Sequence, residues 1–243
     1  MTQGNGYYEI NIRGATLQLL SQRALFWIET RTLFVADLHL GKDVTFRKGG
    51  LAVPAGSNRE SLNRLRSIIG QFQPSRCVVL GDFIHAANSL SQEVIREVTD
   101  FFEQTASCQW HLVRGNHDRK TDQWPKSWPI RVHEKDYLEE PFRFVHVPPD
   151  AERPRAIQFP ERDGHERSHL DNYFLAGHIH PAFRCPGNSI VGGKLACFWL
   201  MPEGMVLPAF GAFTGTKSIE PLRGDRVFVI AEDSVIPFPV IQP

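Results

Sequence analysis

The stretch Trp110 to Asp118, WHLVRGNHD, decides how this chain is read. Trp110-His111-Leu112-Val113 has the length and apolarity of a buried strand. Gly115-Asn116-His117-Asp118 then places an amide, an imidazole and a carboxylate side by side where that strand runs out into a loop. A turn would explain Gly, Asn and Asp, since Gly and Asn accept positive φ and Asp bonds its own backbone. A metal site would explain all four residues, with Asn and His aimed at one reacting centre. The choice depends on what the rest of the chain supplies.

Upstream, Tyr7 to Ile12, Thr16 to Leu20 and Ala24 to Glu29 read as an antiparallel β opening, with Arg13-Gly14 and Ser21-Gln22-Arg23 as turns. Leu33 to Ala36 and Cys77 to Leu80 are unbroken apolar runs, as in strands buried on both faces. Ser57 and Glu60 have capping-box spacing, and Leu62, Leu65, Ile68, Ile69 and Phe72 share one helical face that stops before Pro74. Val94, Ile95, Val98, Phe101 and Phe102 mark a second amphipathic helix. The order is β-α-β-α-β, and the polar motifs fall at strand C-terminal ends, where open α/β sheets build their sites.

Downstream the chain is richer in strands: Phe142 to Val147, Tyr173 to Ala176, Ser189 to Val191, Lys194 to Leu200, Met205 to Leu207 and Arg226 to Ile230. A second sheet packed on the first is expected, in one domain over residues 1–243. Pro148 to Asn172 is dense in Arg, Glu, Asp, Pro and His and reads as a mobile polar loop.

Composition excludes several classes. The 243 residues, 42% hydrophobic, can bury a substantial core. With 27 basic and 27 acidic residues, any polyanion must be held by a local patch. Cys77, Cys108, Cys185 and Cys197 form no CxxC pair, and the N-terminus has no basic region followed by an apolar one. No apolar run approaches the roughly 20 residues that cross a bilayer. A soluble, cytoplasmic protein without a membrane partner is expected; the sequence does not specify its oligomeric state.

In chain order the strand-end groups are Asp37-Leu38-His39, Gly81-Asp82, Gly115-Asn116-His117-Asp118, His146 and Gly177-His178-Ile179-His180. Every segment offers an oxygen or nitrogen donor. In Asp37/His39 and His178/His180, alternation puts both side chains on one side of an extended backbone. Carboxylate, amide and imidazole without thiolate suit Mn, Fe or Zn rather than a Cys-type structural zinc, and a carboxylate can bridge two ions. A centre of two divalent ions is expected.

The ordered set D-x-H, G-D, G-N-H-[DE], H, G-H-x-H resembles the signature of the calcineurin-like metallophosphoesterases. That resemblance implies an α/β fold, the four-layer α/β/β/α sandwich with two mixed sheets. A narrower likeness, to the bacterial ligase-associated DNA damage response endonucleases, rests on three stretches. They are Gly41-Lys42 with Phe46-Arg47, Gly50 and Val53 to Gly56; Gly177 to Pro181; and Leu207 to Gly215, LPAFGAFTG. Carried over residue by residue, the superfamily pattern implies that Asp37, His39 and His180 hold one metal and Asn116, His146 and His178 the other. Asp82 would bridge them. His117 would stabilise phosphoryl charge or protonate the leaving oxygen, with Asp118 orienting its ring. The implied metal is Mn first, with Fe and Zn open. The implied activity is a DNA phosphodiesterase, an endonuclease of DNA repair acting on DNA that includes single strands, beside a ligase, helicase or exonuclease.

Other residues carry weaker expectations. Lys42, Arg47, Lys48 and Arg114 would grip flanking phosphates, and Gly49, Gly50, Pro54 and Gly56 predict a loop rather than a helix over Lys42 to Gly56. His85 either lines the pocket or starts a helix. His111 and His133 read as packing or surface residues, and His165 and His169 as solvated. Phe198, Trp199, Phe210 and Phe213 read as core. The runner-up activity is a phosphomonoesterase or small-nucleotide phosphohydrolase on the same centre. A non-catalytic scaffold on this fold is the alternative of another class, and it predicts lost ligands, whereas this set is intact.

Overall fold

A computed structural model describes residues 3–4, 6–53, 56–121, 124–149, 172–185 and 193–239. The expected strand Ser189 to Val191, Pro54, His165, His169 and most of the polar stretch between Pro148 and Asn172 lie outside them.

The first sheet follows chain order. β1 (Gln3–Gly4), β2 (Tyr7–Ile12), β3 (Ala15–Leu20), β4 (Ala24–Trp27) and β5 (Thr32–Val35) run antiparallel. β6 (Arg76–Val79), β7 (Gln109–Val113) and β8 (Ile130–His133) then continue parallel to β5. The parallel crossovers require long connections. The first contains α1 (Lys42–Lys48) and α2 (Ser57–Phe72), the second α3 (Gln92–Gln104).

The second sheet comprises β9 (Tyr137–Glu139), β10 (Phe142–Phe144), β11 (Tyr173–Ala176), β12 (Pro181–Arg184), β13 (Lys194–Leu200), β14 (Gly204–Val206), β15 (Lys217–Ser218), β16 (Arg226–Ala231) and β17 (Ser234–Phe238). Its order is β15-β12-β13-β14-β11-β10-β9, with the second half of β13 also pairing β16, which pairs β17. β10, β11 and β14 run parallel to one another.

Strand alternation sorts the side chains into layers. Leu33, Val35, Cys77, Val79, Trp110 and Leu112 point to the face covered by Leu62, Leu65 and Ile68 of α2 and Val98 and Phe101 of α3. Phe34, Val78, Leu80 and Val113 point the other way, into a core shared with Phe142, Phe144, Leu175, Phe198, Leu200 and Phe228 of the second sheet. Each fully buried Leu, Ile or Phe contributes roughly 1.5–3 kcal/mol, so the two sheets are held as one body. The outer face of the second sheet carries two smaller apolar clusters, around Phe174 and Val206 and around Cys197 and Val229. An α-helical layer over that face is not seen among the described residues, where all three α-helices lie before residue 105.

Two local expectations are corrected. Lys42 to Lys48 is helical: Gly41 and Gly49 flank the helix instead of interrupting it, Asp43 sits in its first turn, and Arg47 and Lys48 close its last, matching the helix dipole. Ser57 is already inside α2, with Gly56 at φ 103° in the cap position and no side-chain cap bond.

Candidate metal centre

The parallel strands β5, β6 and β7 of one sheet and β10 and β11 of the other all end at the same rim. Each loop leaving them carries one of the five polar motifs. Backbone bonds lock the loops together: Asp37 N–H donates to Gly81 O (3.1 Å), His39 N–H to Asp82 O (2.8 Å), His85 N–H to Leu40 O (3.0 Å) and Gly177 N–H to His146 O (3.1 Å). Across the sheets, His178 N–H donates to both Asp37 carboxylate oxygens (3.1 and 2.9 Å).

The backbone bends sharply to achieve this. Asp37, His39, Asp82, His178 and His180 all have positive φ, between 47° and 69°. Such conformations cost energy for residues with a Cβ and persist only where surroundings impose them, as at functional sites. The motif glycines serve close approach. A Cβ on Gly115 would stand 2.2 Å from Asp82 Oδ1, and one on Gly81 would stand 2.1 Å from His146 Nδ1.

The seven expected ligands form two donor clusters, and His39, His85 and His117 form a further group whose ligand atoms lie within 4.8 Å of one another. In the first, His180 Nε2 lies 3.4 Å from both His39 Nε2 and Asp37 Oδ1. In the second, His146 Nε2 lies 2.9 Å from Asn116 Oδ1 and 3.2 Å from His178 Nδ1. Asp82 Oδ2 stands between them, 3.7 Å from His39 Nε2 and 3.4 Å from His146 Nε2. Its other oxygen accepts the His117 N–H (2.9 Å). Asp37, His39, Asp82 and His146 form a buried floor; Asn116, His117, His178 and His180 are partly exposed above it.

The donor set fits cations. His146 Nδ1 donates to Leu80 O (2.9 Å) and His180 Nδ1 to Gly215 O (3.1 Å), because a carbonyl only accepts. In the neutral rings both Nε2 atoms then present bare lone pairs to other acceptors, a repulsive arrangement unless positive charge sits between them. The buried carboxylates make the same position attractive to positive charge. Burial would depress the His146 imidazolium, yet the Asp82 and Asp37 carboxylates outweigh it and push the group up to about 9. Burial would raise the Asp82 carboxyl, but His146 and the His117 N–H hold it at about 2. His39 falls to about 2 through burial, with His180 and His117 adding repulsion. The His146 and His180 rings are thus each oriented by a backbone carbonyl, a partner type typical of metal-bound histidines.

These side chains match a family model described as calcineurin-like phosphoesterase over residues 30–182. The chain belongs to the calcineurin-like phosphoesterase family. As a member it is a hydrolase acting on phosphoester bonds, in a family that uses a dinuclear metal centre. Among solved structures, the nuclease MPE of Pseudomonas putida is 31% identical, with a TM-score of 0.77 over 96% of this chain and all of that one, in keeping with the resemblance to the endonuclease branch. Yfce, a phosphoesterase from E. coli, is 15% identical over 84% of this chain and 96% of its own, with a TM-score of 0.36, too low to carry weight. A search of curated proteins found no match.

The remaining predicted site residues divide. His117 Nδ1 donates to His85 O (2.6 Å), leaving Nε2 as the atom that can carry a proton to or from a substrate. Asp118 does not orient that ring. Its fully buried carboxylate accepts from Ile84 N–H (3.1 Å) and Gly115 N–H (2.9 Å), bracing one loop against another. His85 is brought in: its ring stacks on His117, and its Nδ1 lies 3.4 Å from His39 Nδ1. Burial, with repulsion from His117 and Lys42, lowers His85 to about 4. The expected phosphate grips are largely engaged elsewhere. Arg47 pairs with buried Asp43 (3.3 Å), Lys48 donates to Asn88 O (2.8 Å), and Arg114 pairs with Glu134 (2.7 Å). Lys42 lies beside the Phe46 ring, 5.9 Å from its centroid.

Sequence reading missed the Leu80, His85 and Gly215 carbonyls, for which no side chain signals. It also missed what Leu207 to Gly215 does. Phe210 N–H and Gly211 N–H donate to Ala36 O (2.7 Å) and Asp37 O (3.1 Å), and Ala212 N–H to Ser61 Oγ (3.0 Å). The segment thus straps the Asp37 loop to α2 and ends on the carbonyl that orients His180.

Proposed function

We propose that the chain is a dinuclear, Mn-dependent phosphodiesterase that cleaves DNA internally and serves DNA repair in the cytoplasm, with a ligase, helicase or exonuclease as partner. The observation that carries the reading is Asp82 Oδ2 poised between two donor clusters beside an uncommitted His117 Nε2. Asp37, His39 and His180 would hold one cation, Asn116, His146 and His178 the other, and Asp82 both. Bound there, divalent cations supply charge stabilisation and lower the pKa of water into the neutral range. The chain's own groups supply the rest. Asp82 is fixed by the His117 N–H, so its orientation does not depend on the ligand. His117, held through Nδ1 by the His85 carbonyl, delivers a proton from Nε2 to the departing sugar oxygen. The likeness to a nuclease favours nucleic acid over a small nucleotide.

The test is protein stripped of metal, reloaded with single metals, and assayed on a small phosphodiester, a phosphomonoester and circular single-stranded DNA. Chelation should abolish diester cleavage, Mn should restore it, and the circle should be opened. Equal activity in rigorously demetallated protein refutes the metal assignment; a preference for the monoester, with the circle intact, refutes the nuclease assignment.

A further inference from the structure

Four rings form a continuous ladder from the candidate proton donor to the surface. His85 stacks on His117 (centroids 4.9 Å apart, planes at 22°), Phe46 lies nearly parallel to His85 (6.3 Å, 22°), and Phe213 meets Phe46 edge-on (5.7 Å, 88°). Phe46 comes from α1 and Phe213 from the strap that hangs on Asp37 and Ser61, so both backbones are anchored. Yet Phe46 is only partly covered and Phe213 is 38% exposed. Phe213 is therefore not the core residue its sequence suggested.

We propose that Phe46 and Phe213 are specificity residues that stack a nucleobase beside the bond to be cut, and so select an unpaired strand. The inference rests on the DNA-cleaving reading above. Three observations support it. The wall is joined ring to ring with His117, the candidate proton donor. The Lys42 ammonium lies over the Phe46 ring, 5.9 Å from its centroid, and adds attraction for a nucleotide's charge. Arg47, Lys48 and Arg114 are engaged with protein partners, which shifts the work of substrate recognition toward the base. A base offers its face to such a wall only when it is unstacked, and every base has a π-face, so the selection is for single strands rather than for sequence.

The test uses the Mn-reloaded full chain and two oligomers of equal length and charge: single-stranded oligothymidylate, and the same backbone with abasic tetrahydrofuran units in place of every nucleoside. The parent protein should cleave the base-bearing oligomer about tenfold or more faster in kcat/KM, in line with stacking on one aromatic. Phe46→Leu and Phe213→Leu should erode that preference, Phe46→Trp should keep it, and a duplex of the same length should be the poorer substrate. Equal losses on both oligomers would make the rings supports of His85 and overturn the proposal. So would an unchanged preference in both Leu variants, or a duplex cut as fast as the single strand. If the parent cleaves neither oligomer but hydrolyses p-nitrophenyl phosphate, the nuclease reading itself fails and the stacking inference falls with it.

Discussion

Asp118→Ala separates two roles that a carboxylate next to His117 can have. Its oxygens accept from the Gly115 and Ile84 N–H groups at 2.9 and 3.1 Å, in a place with no solvent access. Truncation strands both donors, at roughly 1–3 kcal/mol each. Part of that is offset, because burying the charge is itself costly: burial pushes the Asp118 carboxyl up to about 6 despite the two bonds. The net expected loss is about 2–4 kcal/mol, which for a chain of this size lowers Tm by about 4–16 °C. Asp118→Asn keeps one acceptor and should lose about half as much. Thermal unfolding of metal-free protein measures this without any contribution from metal affinity. An unchanged Tm combined with lost DNA turnover would refute the brace and return Asp118 to His117 as its orienting partner.

His117→Ala should retain two metals by mass spectrometry while losing roughly 10²- to 10⁴-fold in turnover, more on DNA than on a nitrophenyl diester whose leaving group needs no proton; loss of a metal would make His117 a ligand. Asp82→Ala should be the most damaging ligand change, lowering occupancy of both sites, and a variant that kept two metals and parental turnover would contradict the bridge. Gly115→Ala should act on Asp82 rather than on Asn116, since the new Cβ meets Asp82 Oδ1 and its backbone N; it should cost about 1–3 kcal/mol from overpacking together with metal, and normal metal content would contradict it. In metal-free protein, His146 is raised from 6.5 to about 9, so the stability it lends is complete below pH 6.5 and is lost as pH rises through 9, by about 3 kcal/mol. His39, His85 and His178 are lowered and so do not titrate in that window. Urea unfolding of metal-free protein that proved flat between pH 6.5 and 9 would rule this out.

Much of this was legible in the chain. The runs around Leu33, Cys77 and Leu112 are apolar without alternation because both faces of those strands are buried, and each ends in a motif because a parallel sheet collects its strand ends on one edge. Asp37, His39, Asp82, Asn116, His146, His178 and His180 could thus be gathered from chain order and do converge in space. What failed was information that lives in pairs of distant residues. Nothing local to Arg47 shows that Asp43 holds it, since an i,i+4 pair on a helix is visible only once the helix is granted. Nothing local to Asp118 shows that its acceptors face Ile84, 34 residues earlier. α1 was hidden because Gly49 and Gly50, at and just past its C-terminal end, read as loop makers, and Phe213 because an aromatic in an apolar stretch is ordinarily core.

The glycine clearances at the centre are crossed. Gly115, in the loop that carries Asn116, leaves room for Asp82; Gly81, in the loop that carries Asp82, leaves room for His146. Each loop is therefore the mould for a donor that another loop delivers, and the centre cannot be assembled or dismantled one motif at a time. A single loop grafted onto a different α/β scaffold would arrive with its donor but without the hollow that donor needs. In a related chain, a side chain appearing at either glycine would signal a failing centre even while every metal-binding residue was still spelled out in its sequence.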